Sequence, residues 1–247
     1  MKILILMAGD AVRFTNSEYK EFKPLISVKG KRIVKWTTDS LPIIDIGNHD
    51  LFFAIRKDHD IKFDVKRKIK ETYKNQNINF FEFECLTPGN LATAYFSALN
   101  FEDDDEDILI LDSDNMYNGD RFFDFCNSCQ ELNYAIICYF DPIDNSSKWC
   151  FAFPDAENRI IKLAEKEKDA LNFNGKPMVG TFYFSSIRLF KDAARAIFAR
   201  DEKVKNEFFM SQSIEELIKN NVPVFGLKVD NIHPLGTPED VKKFENL

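Results

Sequence analysis

The hydrophobic positions of this chain fall into short, nearly continuous runs separated by stretches with helical spacing. ILILM (3–7), DLFFAI (50–55), INFFEF (78–83), DILILD (107–112) and NYAIICYF (133–140) read as strands. Between them, apolar residues recur three and four apart over about Arg32–Leu41, Asp60–Tyr73, Leu91–Leu99 and Asp120–Leu132, which predicts helices. Strands that are apolar on both alternating faces need cover on both. The alternation therefore predicts an α/β fold: a Rossmann-like, mostly parallel central sheet with helices on each face.

After residue 140 the pattern changes. WCFAFPD (149–155), RIIKLAEK (159–166) and MVGTFYFS (178–185) suggest a smaller antiparallel β lid, followed by helices over Ile187–Ala199 and Ser211–Asn220 and a strand, PVFGLKV (223–229). No repeat, low-complexity stretch or Pro/Gly-rich linker divides the chain, so 1–247 is expected to be one domain whose halves meet near residue 140. The acidic run FEDDDED (101–107) reads as a solvated connection, and the 25 phenylalanines read as packing.

Composition narrows the class. A net charge of −7 argues against nucleic acid as a partner, because phosphate backbones demand a basic face. Ile3–Met7 is too short for a signal-peptide core, and no run approaches a membrane span, so no membrane contact and a cytoplasmic location are expected. Five cysteines in such a chain are read as reduced thiols, and the lone Cys126-Asn-Ser-Cys129 as two buried structural thiols on a helix, with redox or zinc chemistry as the competing reading.

In open α/β sheets, ligands gather at the carboxyl ends of the strands. LMAGDAVRF places Gly9 and Arg13 after the first strand, and KEFKPLISVKGK adds Lys23. Backbone N–H groups, a guanidinium and an ammonium would neutralise a triphosphate, although each cation alone is equally read as a solvated surface charge. LDSDN sets Asp112 and Asp114 at the end of another strand, a pair of hard oxygen donors suited to Mg²⁺ or an ordinary helix-capping turn. In TPGNLATAYFSAL, Gly89 opens a loop before a helix whose small residues admit a flat ring.

Taken in order, LMAGDAVRF, FKPLISVKGKR, PGNLATA, SDN, AEKEK, VGTFYF and LGTPEDV resemble the motifs of the sugar-phosphate nucleotidylyltransferases over nearly the whole chain. The resemblance implies a nucleotide-binding half of about 1–140 and an acceptor-binding half of about 141–247. It gives Arg13 the β and γ phosphates and Lys23 the charge growing on the α-phosphate. Ala8, Gly9 and Gly89 would bind the nucleotide, and Asp114, with Asp112, would hold Mg²⁺. Glu165, Lys166 and Gly180 would bind the acceptor, with Lys168 a competing choice for its phosphate. Many members carry an Asp just before the late Gly-Thr, where this chain has Pro234. Asp230 is the nearest upstream carboxylate and is expected to complete the metal site, whereas His233 is expected to meet a phosphate oxygen or simply to pack.

The implied activity couples an NTP (CTP, dTTP or another) to a phosphorylated small molecule, foremost a sugar phosphate, with pyrophosphate release, in surface-polysaccharide precursor synthesis. A CTP-dependent enzyme for a non-sugar metabolite, a metal-dependent glycosyltransferase and a non-catalytic nucleotide-binding protein are the alternatives, and a homo-oligomer is left open. The opening loop departs from the family at Asp10, Ala11 and Val12, which predicts an altered but working nucleotide loop.

Overall fold

Ile3, Ile5 and Met7 enter one hydrophobic core and Leu4 and Leu6 another, because β1 (Lys2–Leu6) lies inside a sheet covered on both faces. The structure is a computed structural model and describes residues 1–10, 12–14, 17–42, 49–129, 131–144, 149–165 and 169–247. After β1 come a small hairpin of β2 (Ser27–Val28) and β3 (Lys31–Arg32), then helix α1 (Ile33–Asp39) and β4 (Asp50–Arg56). Helices α2 (Lys57–Phe63) and α3 (Val65–Thr72), β5 (Asn77–Phe83), α4 (Asn90–Ala98), β6 (Ile108–Leu111), β7 (Asn115–Asn118) and α5 (Phe122–Ser128) complete the first half. The second half contributes β8 (Ala135–Tyr139), β9 (Cys150–Pro154), β10 (Ile160–Glu165), β11 (Lys176–Phe184), α6 (Ile187–Arg200), α7 (Met210–Lys219), β12 (Val224–Lys228), β13 (Asp230–Pro234) and α8 (Pro238–Glu245).

Among the described residues the main sheet has nine strands, ordered β10-β9-β11-β6-β1-β4-β5, with β8 and β12 branching from β11. β1, β4, β5 and β6 are mutually parallel, and β11 joins β6 antiparallel. The chain runs from β1 outward through β4 to β5, then crosses to β6 on the other side of β1. The strand order therefore reverses between β1 and β6, where a doubly wound sheet opens a crevice at its carboxyl edge.

The lid expected from the sequence is smaller than the second half. β8, β11 and β12 are built into the sheet around β6, and only β9 and β10, at its end, form an antiparallel pair continuing from Lys176 and Pro177. The single helix expected over Asp60–Tyr73 is two helices. Asp64 takes a left-handed conformation (φ 56°), and the Asp60 carboxylate accepts from Lys66 N at 2.8 Å, capping a new helix where the first would have continued. FEDDDED is not only solvated: Lys191, itself buried, holds Asp104 at 2.5 Å, and Arg188 holds Asp105 at 2.8 Å. The five cysteines are unpaired, and Cys126 is buried against the first core.

Candidate active site

β6 ends at Leu111, and the next residue docks on a neighbouring strand. Asp112 N donates to the Gly180 carbonyl of β11 at 2.7 Å. Gly180 sits where the pairing of β11 with β8 slips, between Val179 and Phe182. A left-handed backbone does not explain this glycine; space does. A Cβ at 180 would lie 2.0 Å from Asp112 Oδ2 and 2.6 Å from Asp112 Cβ. The absent side chain is the room in which the Asp112 carboxylate sits. Burial, and next the negative charge of Asp114, push that carboxyl up to about 7, with Lys23 and a hydrogen bond from Asn90 pulling the other way.

Asp114 is held from three sides. Its carbonyl accepts from Leu235 N at 2.8 Å, and its Oδ1 accepts from Asn115 Nδ2 at 3.1 Å. Lys23 Nζ donates to its Oδ2 at 2.6 Å. Lys23 opens a short 3₁₀ turn whose next two residues, Pro24 and Leu25, are buried, which fixes where its side chain leaves the backbone. Gly236 lies close on the other side: a Cβ there would be 3.3 Å from Asp114 Oδ2 and 3.9 Å from Arg13 Nη1. The competing reading of LDSDN as a helix-capping turn does not hold: Asp114 leads into strand β7, which pairs with β13.

Two cavities meet at these carboxylates. One, about 430 Å³, is lined by Met7, Ala8, Gly9, Lys23, Thr87 and Gly89, among others. The second, about 240 Å³, is lined by Arg13, Trp149, Glu165, Gly180, Ser211 and Asp240, among others. Asn90, Asp112, Asp114 and Phe209 line both.

Most residues singled out from the sequence come together here, though not always as expected. Ala8 and Gly9 line the larger cavity, and a Cβ at Gly9 would meet nothing within 4 Å, so the protein itself does not demand this glycine. Gly89 also lines it, yet its φ of +101° and the Phe208 carbonyl 2.3 Å from a would-be Cβ already require glycine. Asp10 does not oppose a polyanion unaided, because it is ion-paired with Arg56. Arg13 borders the smaller cavity. Glu165 Oε2 accepts from Ser211 Oγ at 2.7 Å. Lys166, Lys168 and Ala11 lie outside the described residues.

Asp230 stands apart from these residues. It opens β13 opposite Asn118, exposed and outside both cavities, whereas Pro234 pairs with Asn115 beside Asp114. Four residues of extended strand separate Asn118 from Asp114, about 13 Å. The antiparallel register thus keeps Asp230 away from the carboxylate pair. His233 packs its ring on Phe244 at 5.1 Å, and burial together with Lys243 and Lys29 lowers its pKa. That contact is a packing one.

Sequence reasoning missed Asn90, Ser211, Phe209 and Asp240. Asn90 and Asp240 stand inside quoted motifs, and the helix expected over Ser211–Asn220 is α7, but nothing in the sequence ties its start to a site. Asn90 Oδ1 accepts from Met210 N at 2.9 Å, and that tertiary contact brings Phe209 and Ser211 into the site. Cys150 lines the smaller cavity, but burial and the nearby Glu165 charge push its thiol well up, which leaves it a poor nucleophile.

The donor set fits Mg²⁺. Asp112 and Asp114 are two hard-oxygen ligands whose mutual repulsion a cation would relieve. Among the described residues no group of three or more His, Cys, Asp or Glu could cage a metal. Mg²⁺ is ordinarily held by one or two carboxylates, with phosphate oxygens and water supplying the remainder.

The sequence matches the Nucleotidyl transferase family over residues 2–228, and the chain belongs to that family; it is a nucleotidyltransferase. Solved structures share its fold at low identity. A nucleoside-diphosphate-sugar pyrophosphorylase from Vibrio cholerae matches with a TM-score of 0.80 and 19% identity, over 99% of this chain and 100% of that one. HddC from Yersinia pseudotuberculosis, complexed with GMP-PN, matches with a TM-score of 0.69 and 14% identity, over 99% and 98%. The inositol-1-phosphate CTP transferase from T. maritima matches with a TM-score of 0.72 and 12% identity, over 99% and 93%. No curated protein sequence matches the chain. Among the described residues no helix is long and apolar enough to cross a membrane.

Proposed function

We propose that the enzyme couples a nucleoside triphosphate to a phosphorylated small molecule, with a sugar phosphate as the leading candidate, and releases pyrophosphate. The observation that carries this reading is the junction of two cavities at Asp112 and Asp114 with Lys23 on Asp114. The larger cavity takes the nucleotide and the smaller one the acceptor. An acceptor phosphate oxygen attacks the α-phosphorus. The new P–O bond forms as the α-phosphorus separates from the α–β bridging oxygen, which leaves with pyrophosphate.

No covalent protein nucleophile is needed, so positioning and charge neutralisation supply the catalysis. Lys23 stabilises charge on the α-phosphate, and Arg13, which lines the smaller cavity and not the larger, gives a guanidinium to phosphate oxygens from that side of the junction. Asp112 and Asp114 would hold Mg²⁺, which when bound neutralises the phosphates and orients them in line. Glu165 accepts hydrogen bonds from the acceptor, and Gly9 leaves the nucleotide free to approach the backbone. The product, a nucleotide-activated conjugate, suits surface-polysaccharide precursor synthesis.

A second reading keeps the chemistry and changes the acceptor to a non-sugar phosphorylated metabolite activated by CTP. Trp149, Met178 and Phe182 give the smaller cavity apolar surface among its polar walls, which a less hydroxylated acceptor would also fill. A panel of four NTPs against sugar phosphates and phosphorylated alcohols, read as pyrophosphate, tests both readings. We expect release from one NTP only when Mg²⁺ and one acceptor class are both present. Glycosyl transfer from a nucleotide sugar with no pyrophosphate, or tight NTP binding without turnover across the panel, would overturn the proposal.

A further inference from the structure

Four carboxylates line the larger cavity: Asp10, Asp112, Asp114 and Glu207. Three are engaged by the protein. Asp10 pairs with Arg56, Asp112 is hydrogen-bonded by Asn90, and Asp114 is held by Lys23. The side chain of Glu207 is exposed and has no hydrogen bond or ion pair among the described residues. An ionised carboxylate lining a cavity can accept hydrogen bonds from a ligand that offers donors.

Its placement is well defined. Val204 and Glu207 exchange backbone hydrogen bonds at 2.9 and 3.1 Å across a tight turn whose central residues, Lys205 and Asn206, are both left-handed (φ 52° and 66°). A lysine in that conformation is uncommon and is kept only where the surroundings impose it. The next residue then locks onto the loop before α4: Phe208 N donates to the Pro88 carbonyl at 2.8 Å, and Leu91 N donates to the Phe208 carbonyl at 3.1 Å. Gly89 is glycine so that this approach can occur. The backbone of Glu207 is thus held beside the Gly89 loop, in the wall of the larger cavity. Leu6, Leu86 and Phe209 supply apolar surface along the same cavity, as a flat ring requires.

We propose that Glu207 reads the base of the bound nucleotide and selects guanine, cytosine or adenine, whose edges carry an exocyclic amino group, over uracil and thymine. An ionised carboxylate only accepts hydrogen bonds. An exocyclic amino group donates to it, and guanine offers N1–H and the 2-amino group side by side. Uracil and thymine present N3–H between two carbonyl oxygens, whose lone pairs repel the carboxylate. The inference rests on the assignment of the larger cavity to the nucleotide.

The test is equilibrium binding of Mg²⁺ complexes of GTP, CTP, ATP, UTP and dTTP to the full chain without acceptor, for wild type and Glu207→Gln, with Glu207→Asp as a variant that keeps the charge. Wild type is expected to bind its preferred amino-bearing nucleotide about 10- to 100-fold more tightly than UTP or dTTP, the range for a hydrogen bond to a charged group. Glu207→Gln should close most of that gap, because its amide can also donate to a uracil carbonyl, and Glu207→Asp should retain part of it. Equal wild-type binding of all five nucleotides, or a uniform loss in Glu207→Gln that leaves their ratios unchanged, overturns the inference and leaves the nucleotidyltransferase reading intact. Absence of binding for every nucleotide overturns the cavity assignment itself, and this inference with it.

Discussion

Lys23 Nζ and Asp114 Oδ2 lie 2.6 Å apart, and the pair joins two segments, 91 residues apart in sequence, at the centre of the site. The ammonium neutralises one of two neighbouring carboxylates, and Asp112, the other, is left with its pKa raised to about 7. Two anions and one cation thus stand where a metal–triphosphate complex would bring both signs of charge. Phosphate oxygens can take over Lys23, and a divalent cation can take over the carboxylates, without either changing backbone position. Under the proposed function, the pair is the resting arrangement of groups that turn to the substrates during turnover.

Replacing Lys23 with Ala should lower kcat by about 10²–10³-fold, because a charge aimed at the reacting phosphate is lost. The ion pair is partly exposed on both sides, so the fold should lose no more than about 1 kcal/mol. Steady-state kinetics beside thermal unfolding separates the two effects. An unchanged kcat would return Lys23 to the status of a surface charge and withdraw its placement at the α-phosphate.

Metal dependence should follow the carboxylates. Chelation is expected to stop pyrophosphate release and Mg²⁺ to restore it. Asp114→Asn and Asp112→Asn should each raise the Mg²⁺ concentration needed for half-maximal rate by about tenfold or more, since each removes one charged ligand of a site that has only two. Turnover that persists in chelator with the wild-type protein would show that Lys23 and Arg13 alone neutralise the phosphates.

Much of the fold was legible because β1, β4 and β6 are covered on both faces and therefore read as continuous apolar runs. The break at Asp64 was not, because it depends on Asp60 capping the next helix, a local competition that hydrophobic periodicity does not register. Within the site, Lys23, Asp112 and Asp114 could be read because each stands at a strand end or in a motif whose chemistry is local. Gly89 and Gly180 were singled out for contact with ligands; what the structure shows of them is that their neighbours, Phe208 and the Asp112 carboxylate, leave no room for a side chain, contacts that exist only in three dimensions. Glu207, Phe209 and Ser211 reach the site through tertiary docking on the loop before α4 and leave no sequence mark.

Asp230 and His233 make the sharpest contrast between chain position and space. Both lie just upstream of Pro234, where the resemblance implies a carboxylate, yet the β7–β13 register turns Asp230 away and His233 rests on Phe244. Asp230→Ala should therefore leave kcat and Mg²⁺ dependence within about twofold of wild type, as for an exposed residue outside the site. His233→Ala should cost stability through lost packing, with kcat preserved in the folded fraction. Loss of Mg²⁺-dependent turnover in Asp230→Ala would mean that β13 re-registers when nucleotide binds.

Gly180 offers a test of the site's construction that does not depend on knowing the substrate. Added at 180, a methyl group would lie 2.0 Å from Asp112 Oδ2 and 2.6 Å from Asp112 Cβ, so Gly180→Ala must displace the carboxylate or shift the strand. Overpacking of this kind costs about 1–3 kcal/mol, and displacing a ligand from the junction should also lower kcat. In an Asp112→Gly background the colliding atoms are gone, so the added methyl should cost little further stability. The double-mutant cycle, followed by denaturant unfolding, should give a coupling of about 1–3 kcal/mol between positions 112 and 180. Unfolding reports on this coupling even though Asp112→Gly is expected to be inactive. Additive costs would mean that Gly180 is needed for the bend of β11 itself, and the link between this glycine and the metal-side carboxylate would be lost.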